Sequence, residues 1–176
     1  MTHNLQKKYH FISSFDTEFL KKINKDTAII YRNYSKDTID FVKLIKIRNL
    51  LKKMNIKFYL SNNFQLALNY NFDGVYLPSF NKDFSHLSYK LKPDFHILGS
   101  AHNLREIRIK ELQKVQLIFI SSLFKKNKNY LGINKFKNIK NLTKNKIIAL
   151  GGINKKNVKK IKLINCFGFA GISYFK

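Results

Sequence analysis

Eight short apolar runs, separated by stretches with helical spacing, constrain this chain more than any other feature. They fall at residues 10–13, 28–31, 57–60, 74–77, 96–98, 117–120, 146–150 and 168–171. Runs of this length bounded by turn residues read as strands buried on both faces, the pattern of a parallel sheet. Between them, Ile39, Val42, Leu44, Ile45, Ile47, Leu50, Leu51 and Met54 recur at helical spacing, as do Leu104, Ile107, Ile109 and Leu112. Strands alternating with helices predict an α/β fold, and the number eight favours a closed (β/α)8 TIM barrel. The 176 residues read as a single domain, 1–176. Such barrels usually take about 250 residues, so the helices must be short. The chain stops shortly after the eighth run, which leaves no room for a final helix and predicts a homo-oligomer interface on that flank. Residues 125–129 form the most polar stretch and read as a mobile loop.

Charge is the next constraint. Thirty-four Lys and Arg against ten Asp and Glu give a net charge of +24. The arginines are only Arg32, Arg48, Arg105 and Arg108; the rest is lysine, accompanied by abundant Asn, Ile, Phe and Tyr. All of these have A/T-rich codons, so codon bias accounts for the set. Lys43, Lys46, Lys52 and Lys53, and later Lys155, Lys156, Lys159 and Lys160, fall on polar faces of amphipathic helices. Such a field attracts anions and binds polyanions without specificity. No zinc-finger spacing, RNA-recognition signature or GxxG clamp is present, so no specific nucleic-acid partner is expected. The single Cys166 excludes an internal disulfide, and beside the last apolar run it reads as packing. Without a signal peptide or an apolar run near eighteen residues, a cytoplasmic protein with no membrane partner is expected.

In a parallel barrel the ligand site is built from the C-terminal ends of the strands and the loops that follow. Those positions are Ser13-Ser14, Arg32, Ser61-Asn62-Asn63, Leu77-Pro78-Ser79, Ser100-Ala101-His102, Ser121-Ser122, Gly151-Gly152 and Gly171-Ile172-Ser173. The result is a polar cup with one arginine, one histidine and no carboxylate. Paired-carboxylate hydrolysis is excluded, and no metal site is expected, because hard cations need oxygen anions. Gly151 and Gly152 end an apolar strand with Asn154 at a helix N-cap position, and Gly171, Ile172 and Ser173 end the next. Two adjacent ends of this kind predict a phosphate site. His102 reads either as a base near neutral pKa or as the start of a helix capped by Asn103. Arg32 reads as functional, since an unpaired buried guanidinium is costly. His10, His86 and His96 read as structural, Gly74 and Gly132 as turn glycines. Ser61, Asn62 and Asn63 read alternatively as caps of the following helix.

Six stretches in order resemble the family of thiamine-phosphate synthases and thiazole tautomerases. They are Ile30-Tyr31-Arg32, residues 58–68, Phe72-Asp73-Gly74-Val75-Tyr76-Leu77-Pro78-Ser79, His96-Ile97-Leu98-Gly99-Ser100-Ala101-His102, Ile148-Ala149-Leu150-Gly151-Gly152-Ile153-Asn154 and Gly168-Phe169-Ala170-Gly171-Ile172-Ser173. The resemblance spans residues 9–173. Family synthases carry a glutamine and a lysine on and after strand two, an Asn-Asp-Arg run after strand three, and a second aspartate after strand four. The two aspartates bind magnesium on a pyrimidine diphosphate. Here those positions hold Ile30, Tyr34, Ser61-Asn62-Asn63 and Asn81. Amides are weak magnesium ligands, so the resemblance favours the tautomerase branch, which also matches Leu77-Pro78-Ser79, Arg32 with Ser35-Lys36, and His96, Ser100 and His102. It implies His102 as the catalytic base and Gly151, Gly152, Gly171, Ile172 and Ser173 as the phosphate site. Arg32, Ser100, Asn62 and Ser122 are implied as substrate contacts, with Lys126 or Lys128 as a further cation. The expected partner is a phosphorylated thiazole or thiamine phosphate, handled by a tautomerase-like isomerase without a cofactor. The alternatives are a thiamine-phosphate synthase, which would use magnesium, and a non-catalytic phosphate-ligand binder.

Overall fold

A computed structural model describes residues 7–32 and 40–175. Tyr34, Ser35, Lys36 and Ile39 lie outside the described residues. Eight strands follow in order: β1 (Lys7–Ile12), β2 (Thr27–Tyr31), β3 (Phe58–Ser61), β4 (Gly74–Leu77), β5 (His96–Ala101), β6 (Leu117–Ile120), β7 (Lys146–Ala149) and β8 (Gly168–Gly171). Each pairs in parallel with the next, and β8 returns to β1 with Lys7 opposite Gly168 and His10 opposite Gly171, closing the barrel. The expected short TIM barrel is observed. Its helices are α1 (Thr17–Lys21), α2 (Phe41–Lys53), α3 (Phe64–Asn69), α4 (Leu104–Leu112) and α5 (Gly132–Asn141), with 3-10 segments at Ser85–Ser88 and Val158–Ile164.

Alternation along the strands sorts the core into two shells. Tyr9, Phe11, Ile30, Tyr59, Tyr76, Leu98, Phe119 and Ile148 fill the barrel interior. Their rings meet edge to face, with centroids 5.1 Å apart for Tyr9–Phe119, 5.1 Å for Phe11–Tyr76 and 5.6 Å for Tyr76–Phe119. The opposite strand faces, including Ile29, Leu60, Ile97, Ile118 and Ile147, pack against helix residues such as Leu44, Ile47, Leu51, Ile107 and Phe136. Each fully buried side chain of this size contributes roughly 1.5–3 kcal/mol. Asp16, Asp40, Asn63 and Asn103 cap α1, α2, α3 and α4, each accepting a backbone N–H at 2.9–3.0 Å.

Several expectations change. Asn154 is not a helix N-cap: its Oδ1 accepts from Lys156 N and Asn157 N in a turn, and the 3-10 helix begins only at Val158. Lys155, Lys156, Lys159 and Lys160 are exposed on this turn and 3-10 segment rather than on an α-helix face. Gly74 is the first residue of β4, where a Cβ would collide with the His96 carbonyl. Residues 125–129 are tied by hydrogen bonds, with Ser122 N donating to Asn129 O at 2.9 Å and Leu131 N to Ser122 O at 2.9 Å. Beyond β8, Tyr174 packs on Phe169 (4.8 Å) and Phe175 on His10 (4.5 Å), against part of the flank expected to be bare. Among the described residues, no helix is long and apolar enough to cross a membrane.

Candidate active site at the C-terminal mouth of the barrel

The two glycine-bearing ends abut. Gly151 (φ 100°) and Gly152 (φ 77°) adopt backbone conformations that side chains rarely tolerate. A Cβ on Gly151 would lie 2.6 Å from Ser122 Oγ, and one on Gly152 2.5 Å from Lys125 N. The glycines are therefore required by the β6–α5 connection, which rests on them through Leu123 N to Leu150 O (2.9 Å) and Phe124 N to Gly151 O (2.8 Å). A Cβ on Gly171 would meet the Ile153 carbonyl at 3.4 Å, which brings the β8 end against the turn after β7. The N–H groups of Gly151, Gly152, Ile172 and Ser173 take no hydrogen-bond partner among the described residues. N–H groups without a protein partner on a curved backbone suit phosphate oxygens. No α-helix N-terminus joins them, contrary to the expectation drawn from Asn154.

Arg32 enters from the neighbouring side. Its backbone N–H donates to Ile12 O at 2.8 Å, extending the β1–β2 ladder, and its guanidinium carbon lies 5.1 Å from the Phe11 ring centroid. Arg32 and Ile172 line one cavity of about 380 Å³ with Ser13, Ser14 and Asp16. Asp16 is a carboxylate the strand-end reading missed, because it lies beyond the loop after β1; its Oδ1 caps α1. His10 forms part of the same wall, and since Gly171 O can only accept, the His10 Nδ1–H donates to it at 3.0 Å. His10 is structural, as expected.

His102 and Ser100 sit across the mouth, on β5 and just after it, and neither lines the Arg32 cavity. Ser100 is buried. The imidazole Nδ1 of His102 lies 3.0 Å from Glu106 Oε2, and the His102 backbone N–H donates to the same oxygen at 2.8 Å. Asn103 Oδ1 accepts from Glu106 N at 2.9 Å while Asn103 Nδ2 donates to Glu106 Oε1 at 3.0 Å. The cap reading of His102 holds, since Asn103 caps α4, and the carboxylate of the same cap orients the ring through Nδ1. Glu106 was legible as the fourth residue of an Asn-x-x-Glu capping box. Ser122 plays another part: it is buried, and its hydroxyl donates to Lys125 O at 2.8 Å, pinning the connection rather than presenting a group to the mouth.

Asn62 (φ 59°) is exposed just past β3, and Asn81 Nδ2 donates to its Oδ1 at 2.6 Å. The fold thus brings together the two positions at which family synthases hold magnesium. The donor set does not suit the ion. Asn81 Oδ1 already accepts from Asp83 N (2.9 Å) and Gln113 Nε2 (2.9 Å), and Asn62 Oδ1 accepts from Asn81. The Asp83 carboxylate is turned onto Ser85 N (2.9 Å) and Ser85 Oγ (2.5 Å). No cluster of three or more His, Cys, Asp or Glu side chains among the described residues is placed to hold a metal. Behind the pair, His86 stacks on Phe64 at 4.6 Å and its Nε2 reaches Gln113 O at 2.9 Å, a packing role. Lys126 and Lys128 are exposed on the β6–α5 connection.

Comparison with known proteins fixes the family. The TMP-TENI family, described as thiamine monophosphate synthase, matches residues 17–175. A thiamine-phosphate synthase of Methanococcus vannielii is 28% identical over 152 residues, covering 84% of this chain and 73% of that protein. One from Clostridium tetani is 30% identical over 145 residues, covering 79% and 68%. A solved thiamine phosphate pyrophosphorylase from Pyrococcus furiosus superposes with a TM-score of 0.79 at 23% identity, covering 97% of this chain and 87% of that one. At that identity the likeness concerns the fold. These relatives carry the synthase name, and nothing in the comparisons points specifically to the tautomerase branch, so the order of preference drawn from the sequence is reversed. The barrel, its closure and its matched length agree: the chain belongs to the thiamine monophosphate synthase family.

Proposed function

We propose that the chain is a thiamine-phosphate synthase, joining a thiazole phosphate to a pyrimidine diphosphate with release of pyrophosphate. The observation that carries this reading is the match over residues 17–175 to a family whose relatives bear that name. The geometry is compatible with it. The N–H groups at Gly151, Gly152, Ile172 and Ser173 would hold the thiazole phosphate, with Arg32, which lines one cavity with Ile172, adding positive charge beside them. In the reaction a bond forms between the thiazole nitrogen and the pyrimidine methylene carbon. The bond from that carbon to the diphosphate oxygen breaks, and its electron pair leaves with the diphosphate. His102, oriented by Glu106, would supply a proton or hydrogen bond to the departing oxygen.

A second reading rests on the same pair. An imidazole with a carboxylate on Nδ1 and Nε2 open is the apparatus of a proton shuttle, which a thiazole tautomerase requires. One assay separates the two. The protein is incubated with pyrimidine diphosphate and thiazole phosphate, with and without magnesium, and thiamine phosphate is followed by chromatography. Its formation supports the synthase. If none forms, and a parallel incubation with a thiazole carboxylate phosphate, the substrate a tautomerase would take, shows faster aromatisation, the tautomerase reading replaces it.

A further inference from the structure

Asn62 and Asn81 end a polarised chain of hydrogen bonds that starts at a buried cation. Lys110 on α4 is fully buried, and its methylenes cross Gly99 of β5, where a Cβ would lie 2.9 Å from Lys110 Cδ. Its ammonium donates to Gln113 Oε1 at 2.9 Å and to Asn81 O at 2.8 Å. An ammonium has donors only, so Gln113 must present its oxygen to Lys110 and its Nε2 outward. That Nε2 donates to Asp83 O (2.8 Å) and to Asn81 Oδ1 (2.9 Å). Asn81 Oδ1 also accepts the backbone N–H of Asp83, which fixes the same amide orientation independently. Asn81 Nδ2 therefore points at Asn62 Oδ1, and the free end of the relay is Asn62 Nδ2, a donor. Asn62 is exposed at the mouth, and its Nδ2 has no partner among the described residues. Every link obeys the same direction.

We infer that this edge of the mouth binds a phosphoryl oxygen of a diphosphate directly through Asn62 Nδ2, held in donor orientation by Lys110, Gln113 and Asn81, with no divalent cation between the two asparagines. The choice of a diphosphate rests on the synthase reading; the polarity of the relay does not. A cation at this edge would face an N–H group and, beyond it, the Lys110 charge. An oxyanion would complete the chain, with Lys110 strengthening each successive hydrogen bond by polarisation. Asn62 is the contacting residue, and Lys110, Gln113 and Asn81 are positioning residues.

The test is calorimetric titration of the full-length chain with inorganic pyrophosphate, in EDTA and in excess magnesium. Binding is expected in EDTA, and Asn62→Ala should weaken it roughly tenfold or more, the worth of a hydrogen bond to a charged group. Asn62→Asp should bind poorly in EDTA and recover with magnesium, a dependence that loss of structure alone would not create. Lys110→Met should weaken binding in EDTA as Asn62→Ala does. Should Lys110→Met fail to fold, the exposed Asn62 variants still decide the matter. Binding of pyrophosphate only when magnesium is present, or unchanged affinity of Asn62→Ala in EDTA, overturns the inference. Pyrophosphate binding through Asn62 without any thiamine phosphate formation leaves the inference standing and removes the synthase.

Discussion

His102 Nδ1 and Glu106 Oε2 lie 3.0 Å apart, one turn of α4 joining a strand-end imidazole to a carboxylate already engaged in a helix cap. The pair is about a quarter exposed on each side, so it is neither sealed from solvent nor a free surface contact. Its geometry fixes the tautomer that a reacting group would meet.

Substitution of His102 by alanine should lower turnover about a hundredfold, the usual scale of general acid–base assistance, whichever of the two reactions runs. Glu106→Gln should cost less in rate, and weakening of the cap should lower Tm by only about 1–4 °C. Initial rates measured beside thermal melts separate the two effects. A His102→Ala rate equal to that of the parent chain would reduce this pair to a helix cap.

Gly151→Ala tests the packing of the β6–α5 connection. The added methyl meets Ser122 Oγ and Cα at 2.6 and 2.7 Å on a backbone already at φ 100°. A loss of about 2–3 kcal/mol is expected, with Tm lower by roughly 5–10 °C. A melt within error of the parent would show that the connection does not rest on β7.

Lys110 makes stability depend on pH in an unusual direction. Burial lowers its pKa from 10.5 to about 8 in the folded chain. Between those values the unfolded chain binds the additional proton, so stability rises with pH, by up to roughly 3 kcal/mol. Above about pH 10 the trend reverses, because burial pushes Tyr9 to about 12 and raises Tyr59 too, and the unfolded phenols ionise first. Urea midpoints near pH 7, 9.5 and 11 should therefore rise and then fall. Lys110→Met should abolish the rise and keep the fall.

Cys166 should be inert in the native protein. Burial raises its thiol pKa to about 12, so almost no thiolate forms at neutral pH. A thiol reagent such as Ellman's should react only as the chain unfolds in denaturant. Rapid reaction under native conditions would mean that the end of the barrel at Cys166 opens readily.

The barrel was legible because buried parallel strands advertise themselves as apolar runs. Residues 74–77, 117–120 and 168–171 match their strands end to end, and α4 matches residues 104–112 because Asn103 and Glu106 punctuate its start. Two helices escaped notice. In α1, five residues are too few to show a period, and α5 begins at Gly132, a residue that reads as a turn, with Phe136 its one buried residue. Within the site, Arg32 and the paired glycines stood out by type and position. Asp16 escaped because it lies past the strand end, and the Asn62–Asn81 bond because 19 residues separate its partners. The use of Ser122 was equally hidden, since a hydroxyl turned back onto its own loop looks in sequence like one turned toward a ligand.

The β6–α5 connection has one further consequence. Leu123, Phe124 and Lys125 donate to Leu150 and Gly151, and Leu131 returns to Ser122, so both roots of the segment are fastened before any ligand arrives. The wall beside the glycines is therefore preorganised, and binding need not freeze it out of a broad ensemble. Recognition at this mouth would thus work like a rigid socket, rather than a flap that folds over its guest.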